Sequence, residues 1–229
     1  MAGHIPLEDG ILVRAQVPQP EIEKHIKMRD KKLLIFDFDG VLEDTFEWNF
    51  EVASKRYKNL DKEDYRAWFD GNIYEQPTVK AAGPMNIIEY FEEYKKGFEN
   101  RIIKTELKDL LFSLKTRYNL VIISSIDDDI INSYLGKNSI NNIFEEVWGI
   151  RKKTSKVEKF KDFLNLYNLP SEECLFITDT LGDIREANKI PLDSIAVTWG
   201  YQRREILSKG KPIKIFDSFN ELKDFLLKS

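Results

Sequence analysis

Four aspartates stand in two pairs whose spacing suits them to bind a cation or to transfer a proton. Asp37 and Asp39 flank one residue directly after the short apolar run Leu33–Phe36. Asp179 and Asp183 lie one helical turn apart and follow another apolar run. Carboxylates gathered in a small volume repel one another unless a divalent cation lies among them. Each acid alone is also typical of a turn or a helix cap, so the prediction of a cation site rests on the two pairs taken together.

Two further polar side chains are associated with runs of the same kind. Ser124 follows Val121–Ile123, and a hydroxyl there, with the backbone N–H groups after it, can bind an anionic oxygen. Lys156 opens the predicted helix before Cys174–Ile177 and can supply a positive charge near the acids. A turn serine and a surface lysine are the ordinary interpretations. With 2 His and 1 Cys in the chain, a hard ion such as Mg²⁺ is favoured over zinc.

Short apolar strands separated by helical patterns must position these side chains. Runs that end in acids, hydroxyls or glycine are typical of strands buried on both faces. The predicted strands are Leu33–Phe36, Leu120–Ile123, Cys174–Ile177, Ser194–Thr198 and Ile213–Phe216. The predicted helices between and after them are Thr105–Tyr118, Ser155–Tyr167 and Ser218–Leu227. This alternation predicts an α/β fold with a parallel sheet covered on both faces, whose ligand site lies beyond the carboxyl ends of the strands.

The long stretch between the first two predicted strands carries helical patterns instead. Its predicted helices are Phe46–Lys58, Lys62–Phe69 and Met85–Phe98. We therefore predict a helical cap inserted at residues 46–100, an α/β core at 31–45 and 101–229, and an N-terminal extension at 1–30. Candidates to line a pocket under the cap are Trp48, Arg56, Trp68, Lys80 and Met85.

Composition limits the class of protein. The chain has 229 residues, 42% of them apolar, and 35 Lys and Arg against 39 Asp and Glu, for a net charge of −4. This balance does not favour nucleic acid as a partner, and no apolar run is long enough for a membrane span. The N-terminus lacks the pattern of a secretory signal, and the single cysteine fits a reducing compartment. We expect a cytoplasmic protein with a small-molecule partner; the oligomeric state is not predicted.

Four segments, in order, resemble the motifs of the haloacid dehalogenase-like (HAD) hydrolase superfamily. They are Leu33–Thr45 (LLIFDFDGVLEDT), Val121–Ser124, Lys156 and Asp179–Asp183. The stretch Ser171–Tyr201 is similar to the phosphoglycolate-phosphatase-like branch. The resemblance covers about residues 33–227 and implies a Rossmann-like core with a helical cap. Lys153 is the alternative to Lys156, because the frequent Lys-Pro form of this motif is absent.

The resemblance implies a Mg²⁺-dependent phosphatase for a small soluble phosphate monoester. Asp37 would be the nucleophile and would become an aspartyl-phosphate. Asp39 would protonate the leaving oxygen and then deprotonate the hydrolytic water. The implied phosphate-binding residues are Ser124, Lys156 and Gly40. The implied Mg²⁺ ligands are Asp37, Asp39 through its backbone carbonyl, Asp179 and Asp183.

Other reactions and roles are compatible with parts of the same pattern. A phosphomutase of sugar phosphates would need the same Asp37 and Asp39. A non-catalytic binding or regulatory module on this fold is the alternative from a different class. Dehalogenation is disfavoured, because haloacid dehalogenases have no second acid at the position of Asp39. A phosphonatase would need a cap lysine, for which Lys55 and Lys58 are more typical of a helix surface.

Overall fold

The computed structural model describes residues 30–75, 87–152 and 155–228. Within them, six strands form one parallel sheet in the order β3-β2-β1-β4-β5-β6. The strands are β1 (Leu33–Phe36), β2 (Asn119–Ile123), β3 (Glu146–Trp148), β4 (Cys174–Thr178), β5 (Ser194–Val197) and β6 (Ile215–Phe216). The predicted parallel α/β fold is confirmed. Because β1 pairs with β2 on one side and β4 on the other, the residues that follow these strands emerge side by side.

Helices alternate with the strands after β1. Those between β1 and β2 are α1 (Phe46–Arg56), α2 (Lys62–Ala67), α3 (Ile87–Lys96) and α4 (Thr105–Lys115), with 3-10 turns at Trp68–Asp70 and Ile73–Glu75. The later helices are α5 (Asp128–Lys137), α6 (Lys156–Leu166), α7 (Leu181–Asn188), α8 (Arg204–Leu207) and α9 (Phe219–Lys228). We call residues 46–98 the helical insert; its described part contains helices and turns but no strand. No helix among the described residues is long and apolar enough to cross a membrane.

The sheet is covered on both faces, as its fully buried strands require. Leu34 and Phe36 face a large apolar cluster formed with α4, α5 and α9. Leu33 and Ile35 face a second cluster, formed with α6 and the end of α7, which includes Cys174. This period of two within a continuously apolar strand is typical of a central strand in a parallel sheet.

The structure differs from the predicted elements in two respects. Strand β3 and helices α5, α7 and α8 are additional, and β3 is a three-residue edge strand with only Trp148 buried, too short to give a clear apolar run. The buried face of α6 is rotated from the predicted one. The helical spacing of apolar residues in Ser155–Tyr167 predicts Tyr167 on the buried face, but Tyr167 is 43% exposed, whereas Lys159 and Phe163 are buried.

The helical insert packs over the carboxyl end of the sheet. Phe46, Tyr65 and Trp68 form an aromatic cluster that also includes Tyr201, which follows β5 in the core. The ring of Tyr201 meets Phe46 edge-on at 5.2 Å and Phe69 at 4.8 Å between ring centroids. The insert therefore shares its apolar core with the loop beside the predicted site.

Candidate active site

A cavity of about 60 Å³ lies between the strand ends and the helical insert. Core residues line its floor: Asp37, Asp39, Ser125, Lys156, Thr180, Asp183, Glu186 and Tyr201. Insert residues line its roof: Phe69, Gly71, Asn72 and Ile73. Three of the four predicted aspartates and the predicted lysine thus border one small space. Its volume is several times the 10–15 Å³ or so that one water needs, which suits a small ligand.

Lys156 joins two of the predicted aspartates. Its ammonium lies 2.7 Å from Asp37 Oδ2 and 2.6 Å from Asp183 Oδ2, and all three side chains are buried. Asp37 is also held by the backbone, since its N–H donates to Ile177 O at 2.9 Å and its Oδ1 accepts from Phe38 N at 2.7 Å. A buried charge needs this kind of compensation to be tolerated.

Asp37, Asp183 and Lys156 differ in how strongly their surroundings stabilise the charged form. Burial raises the pKa of Asp37 well above its usual range, and the nearby Lys156 ammonium offsets only part of this effect. Burial acts on Asp183 in the same direction, but Lys156 and a hydrogen bond from Thr178 lower its pKa below the usual value. The pKa of Lys156 is raised despite burial, because both carboxylates favour its charged form. Asp183 and Lys156 form the stable ion pair.

Asp183 lies in the first turn of α7 and is not its N-cap, the ordinary structural role considered from sequence. The N-cap is Thr180, whose side chain accepts from Asp183 N at 3.4 Å. Thr178 at the end of β4 donates to Asp183 Oδ2 at 2.9 Å. These contacts aim the carboxylate at Lys156.

Asp39 is half-buried at the cavity and is held by the N-cap residue of α1 and by a residue of α3. Thr45 Oγ1 donates to Asp39 Oδ1 at 2.7 Å, and the Tyr94 hydroxyl in α3 donates to the same oxygen. Thr45 also contacts the Tyr201 hydroxyl at 2.9 Å. Burial raises the pKa of Asp39, and the bonds from Thr45 and Tyr94 partly oppose this. A carboxyl group with a raised pKa suits proton donation.

Asp179 lies behind the cavity wall, fully buried beneath two glycines. Its Oδ2 accepts from Tyr201 N at 2.7 Å, while its Oδ1 is buried without a hydrogen-bond partner in the described chain. A Cβ on Gly40 would lie 1.9 Å from Asp179 Oδ2, and one on Gly200 would lie 2.2 Å from it. Burial raises the pKa of Asp179 to about 8.

Gly40 has a structural role in the turn that follows β1. It adopts a left-handed backbone with φ +71°, and its N–H donates to Glu43 O at 2.8 Å. It is also absent from the cavity lining. Its turn and the close approach of Asp179 explain why a glycine stands at this position, and its contact with phosphate stays a prediction.

The fit of a metal ion can be judged from the oxygen atoms near Asp179. The described residues contain no cluster of three or more acidic, His or Cys side chains arranged as a metal cage, because Lys156 stands between Asp37 and Asp183. Mg²⁺ typically takes only one or two carboxylates and completes its shell with water and substrate phosphate. The unpartnered Asp179 Oδ1 beside the Asp37–Asp39 loop fits that pattern.

Ser124 is buried just after β2, and the next residue, Ser125, lines the cavity. Ser124 Oγ accepts from Ile126 N at 3.4 Å, and the Ser124 carbonyl accepts from the ammonium of Lys159. The sequence indicated this turn but neither Ser125 nor Lys159. The alternative lysine, Lys153, lies outside the described residues.

The roof of the cavity was the least predictable part. Of the pocket candidates, Trp48, Arg56 and Trp68 do not line the cavity, and Lys80 and Met85 lie outside the described residues. The roof is instead anchored by Gln202. Its side chain accepts from Leu181 N at 2.6 Å and donates to Arg66 O at 3.0 Å and to Asp70 Oδ1 at 2.8 Å.

Comparison with known proteins identifies the class. Residues 34–197 match the family profile described as haloacid dehalogenase-like hydrolase. The chain belongs to this family, and it is a hydrolase acting on phosphoric monoesters.

The individual relatives have low sequence identity to this chain. The phosphoglycolate phosphatase of Colwellia psychrerythraea is 25% identical over 86% of this chain and 97% of its own length. That of Synechococcus elongatus is 24% identical over 82% of this chain and 94% of its own.

Solved structures share the fold. A haloacid dehalogenase-like family protein from Streptococcus pneumoniae aligns with a TM-score of 0.70 at 21% identity, covering 86% of this chain and 98% of that one. CbbY from Rhodobacter sphaeroides, in complex with xylulose-(1,5)bisphosphate, aligns with a TM-score of 0.65 at 16% identity, covering 84% and 96%.

Proposed function

We propose that this chain is a Mg²⁺-dependent phosphatase that hydrolyses a small phosphate monoester through an aspartyl-phosphate on Asp37. The observation that carries the proposal is the buried contact of Lys156 with both Asp37 and Asp183 at the floor of a small cavity that Asp39 also borders. Phosphoryl transfer needs mainly positioning and neutralisation of charge, and these residues provide both.

The proposed reaction has two steps, formation and hydrolysis of the aspartyl-phosphate. An Asp37 oxygen attacks phosphorus, the bond to the leaving oxygen breaks, and Asp39 gives that oxygen its proton. Asp39, now a carboxylate, takes a proton from a water molecule that attacks the phosphorus of the acyl phosphate. The bond from phosphorus to Asp37 then breaks, which releases inorganic phosphate and restores the Asp37 carboxylate and protonated Asp39.

The remaining residues bind and orient the phosphoryl group. Lys156 and the Ser124–Ser125 turn lie on the floor side and can contact its oxygens. Asp37, the Asp39 carbonyl and Asp179 would hold Mg²⁺, with Asp183 in support. The ion would offset the negative charge of the phosphoryl group and of the buried acids. We also propose residues 46–100 as the cap, because Phe69–Ile73 close the cavity from above.

The size of the cavity supports a small substrate. The relatives named phosphoglycolate phosphatase make phosphoglycolate one candidate, but buried Glu186 adds a further acid to the cavity wall. A carboxylate-bearing leaving group would meet that negative charge, so substrates with neutral leaving groups belong in the same screen.

The test is a substrate screen of the purified chain with Mg²⁺, using phosphoglycolate, sugar phosphates, glycerol phosphate and an aryl phosphate. We expect release of inorganic phosphate, loss of activity with a chelator, and a loss of at least about 1,000-fold in Asp37→Asn. Asp224→Asn, which changes an exposed aspartate, is the matched control. Isomerisation of a sugar phosphate without phosphate release would indicate a mutase. Absence of both turnover and beryllofluoride binding would leave a binding module.

A further inference from the structure

A second lysine is buried beside the site and plays no part in the proposed reaction. Lys159 lies one turn after Lys156 on α6 and is 0% exposed. Its neighbours on the buried face of the helix are Phe160 and Phe163. A buried ammonium costs stability unless it is compensated, and an apolar side chain would serve packing better. The contact that Lys159 makes therefore calls for a functional explanation.

Within the described part of the chain, that contact is a single hydrogen bond. The Lys159 ammonium donates to the backbone carbonyl of Ser124. Two other bonds fix the same turn, since Ser124 N donates to Trp148 O at 3.0 Å and Ser124 Oγ accepts from Ile126 N at 3.4 Å. Lys159 thus holds the peptide that joins Ser124 to Ser125.

The orientation of this peptide links Lys159 to the cavity. The described chain has no cis peptide bonds, and in a trans peptide the N–H points away from the carbonyl oxygen. With Lys159 on the carbonyl side, the N–H of Ser125 points to the opposite side. Ser125 itself lines the cavity opposite the roof residues. A cation on a carbonyl also strengthens the N–H of the same peptide as a donor.

We propose that Lys159 is a positioning residue, which fixes and polarises the Ser124–Ser125 peptide so that its N–H binds an oxygen of the transferring phosphoryl group. The inference rests on the proposed function of the site. Lys156 contacts the nucleophile directly, whereas Lys159 acts through one peptide unit. The positive charge of Lys159 also adds to the electrostatic field on the phosphate side of the cavity.

The decisive variant is Lys159→Met, with Lys161→Met on the exposed face of α6 as the matched control. The measurements are the inhibition constant of inorganic phosphate in the presence of Mg²⁺, kcat/KM, and the melting temperature. We expect phosphate to bind about 10-fold more weakly and kcat/KM to fall roughly 10- to 100-fold. The melting temperature should change little, because the loss of the buried ammonium is stabilising and the loss of its bond to the Ser124 carbonyl is destabilising. A purely structural lysine would give the reverse: a lower melting temperature with unchanged phosphate binding.

Two further readouts report on the peptide itself. The amide proton of Ser125 should shift when beryllofluoride binds to the wild-type protein, and the shift should be smaller in Lys159→Met. Burial, with Lys156 nearby, lowers the pKa of Lys159 to about 8. Phosphate affinity should therefore fall more steeply above pH 8 in the wild type than in Lys159→Met. If Lys159→Met does not fold, Lys159→Gln, which keeps an N–H donor without the charge, should give an intermediate loss.

The outcomes separate the two proposals. If phosphate inhibition and kcat/KM of the Lys159 variants stay within twofold of Lys161→Met while Asp37→Asn is inactive, the role of Lys159 is wrong and the proposed function stands. If the wild-type protein neither hydrolyses a phosphoester nor binds inorganic phosphate, both proposals are wrong.

Discussion

The floor and the roof of the cavity are built on different principles. The floor consists of charged groups fixed by hydrogen bonds and close packing: the Asp37 N–H is hydrogen-bonded to β4, and Lys156 joins Asp37 to Asp183. Behind the floor, Asp179 packs closely against two glycines. The roof consists of aromatic packing with a few single hydrogen bonds from the insert, such as Tyr94 to Asp39. We therefore expect the floor to determine the chemistry, and the helical insert to control access to the floor and to influence the proton on Asp39.

The comparison predicts that small changes to the floor have the largest effects. In Gly40→Ala, the new Cβ would lie 1.9 Å from Asp179 Oδ2, at a φ of +71° that alanine disfavours. Displacement of the Asp179 carboxylate should lower kcat/KM about 100-fold and weaken activation by Mg²⁺. Titration of activity with Mg²⁺ measures both. The control is Gly136→Ala in α5, where a Cβ meets nothing within 4 Å. Equal activity of the two variants would refute the tight fit.

The hydroxyl of Tyr94 tests the polar contact between the helical insert and Asp39, the proposed proton donor. Tyr94→Phe should lower kcat roughly 10-fold, a fraction of the 10²- to 10⁴-fold that general acid–base catalysis supplies. The Tyr94 bond lowers the pKa of Asp39, so its loss should raise that pKa and move the limbs of the pH–rate profile that depend on Asp39 to higher pH.

The matched control for this prediction is Tyr118→Phe. The hydroxyl of Tyr118 is also buried, but it donates to Leu226 O at 2.6 Å, next to the opposite end of β2. A pH profile that is the same in Tyr94→Phe and Tyr118→Phe would show that the insert does not influence Asp39.

Gln202→Ala should have the smallest effect on the chemistry. It removes one hydrogen bond from Gln202 to α7 and two from Gln202 to the helical insert, so we expect KM to rise about 3- to 10-fold with kcat nearly unchanged. Buried groups left unpaired should also cost about 1–3 kcal/mol of unfolding free energy. Arg203→Ala, which breaks the exposed 3.2 Å contact between the next residue of the same loop and Glu63 of the helical insert, should change neither. A fall in kcat as large as that of Tyr94→Phe would assign the roof a chemical role.

The difference between the floor and the roof of the cavity also explains which features the sequence could predict. Asp37, Asp39, Asp179 and Asp183 follow apolar runs, and those runs are buried strands because every side chain in them is apolar. Their convergence follows from parallel pairing alone. The strand β3 was missed, since three residues at a sheet edge carry too little pattern.

The missed site residues depend on tertiary contacts. Tyr94 has the spacing of an apolar helix face, and its contact with Asp39 arises only when α3 folds back over the sheet. Lys159 did leave a signal, a lysine one turn after Lys156 and beside Phe160, but a helix pattern alone does not distinguish a buried lysine from one at the edge of the face. Ser125 lines the cavity through the geometry of a turn, which residue type does not reveal.

The position of Cys174 has a consequence for resistance to oxidants. It is the only cysteine of the chain, and it is fully buried at the start of β4. Burial raises the pKa of its thiol to about 12, so at neutral pH it is not the thiolate that peroxide attacks. The proposed nucleophile is a carboxylate, which peroxide does not oxidise. Turnover should therefore continue under oxidative stress that inactivates enzymes with a thiolate nucleophile.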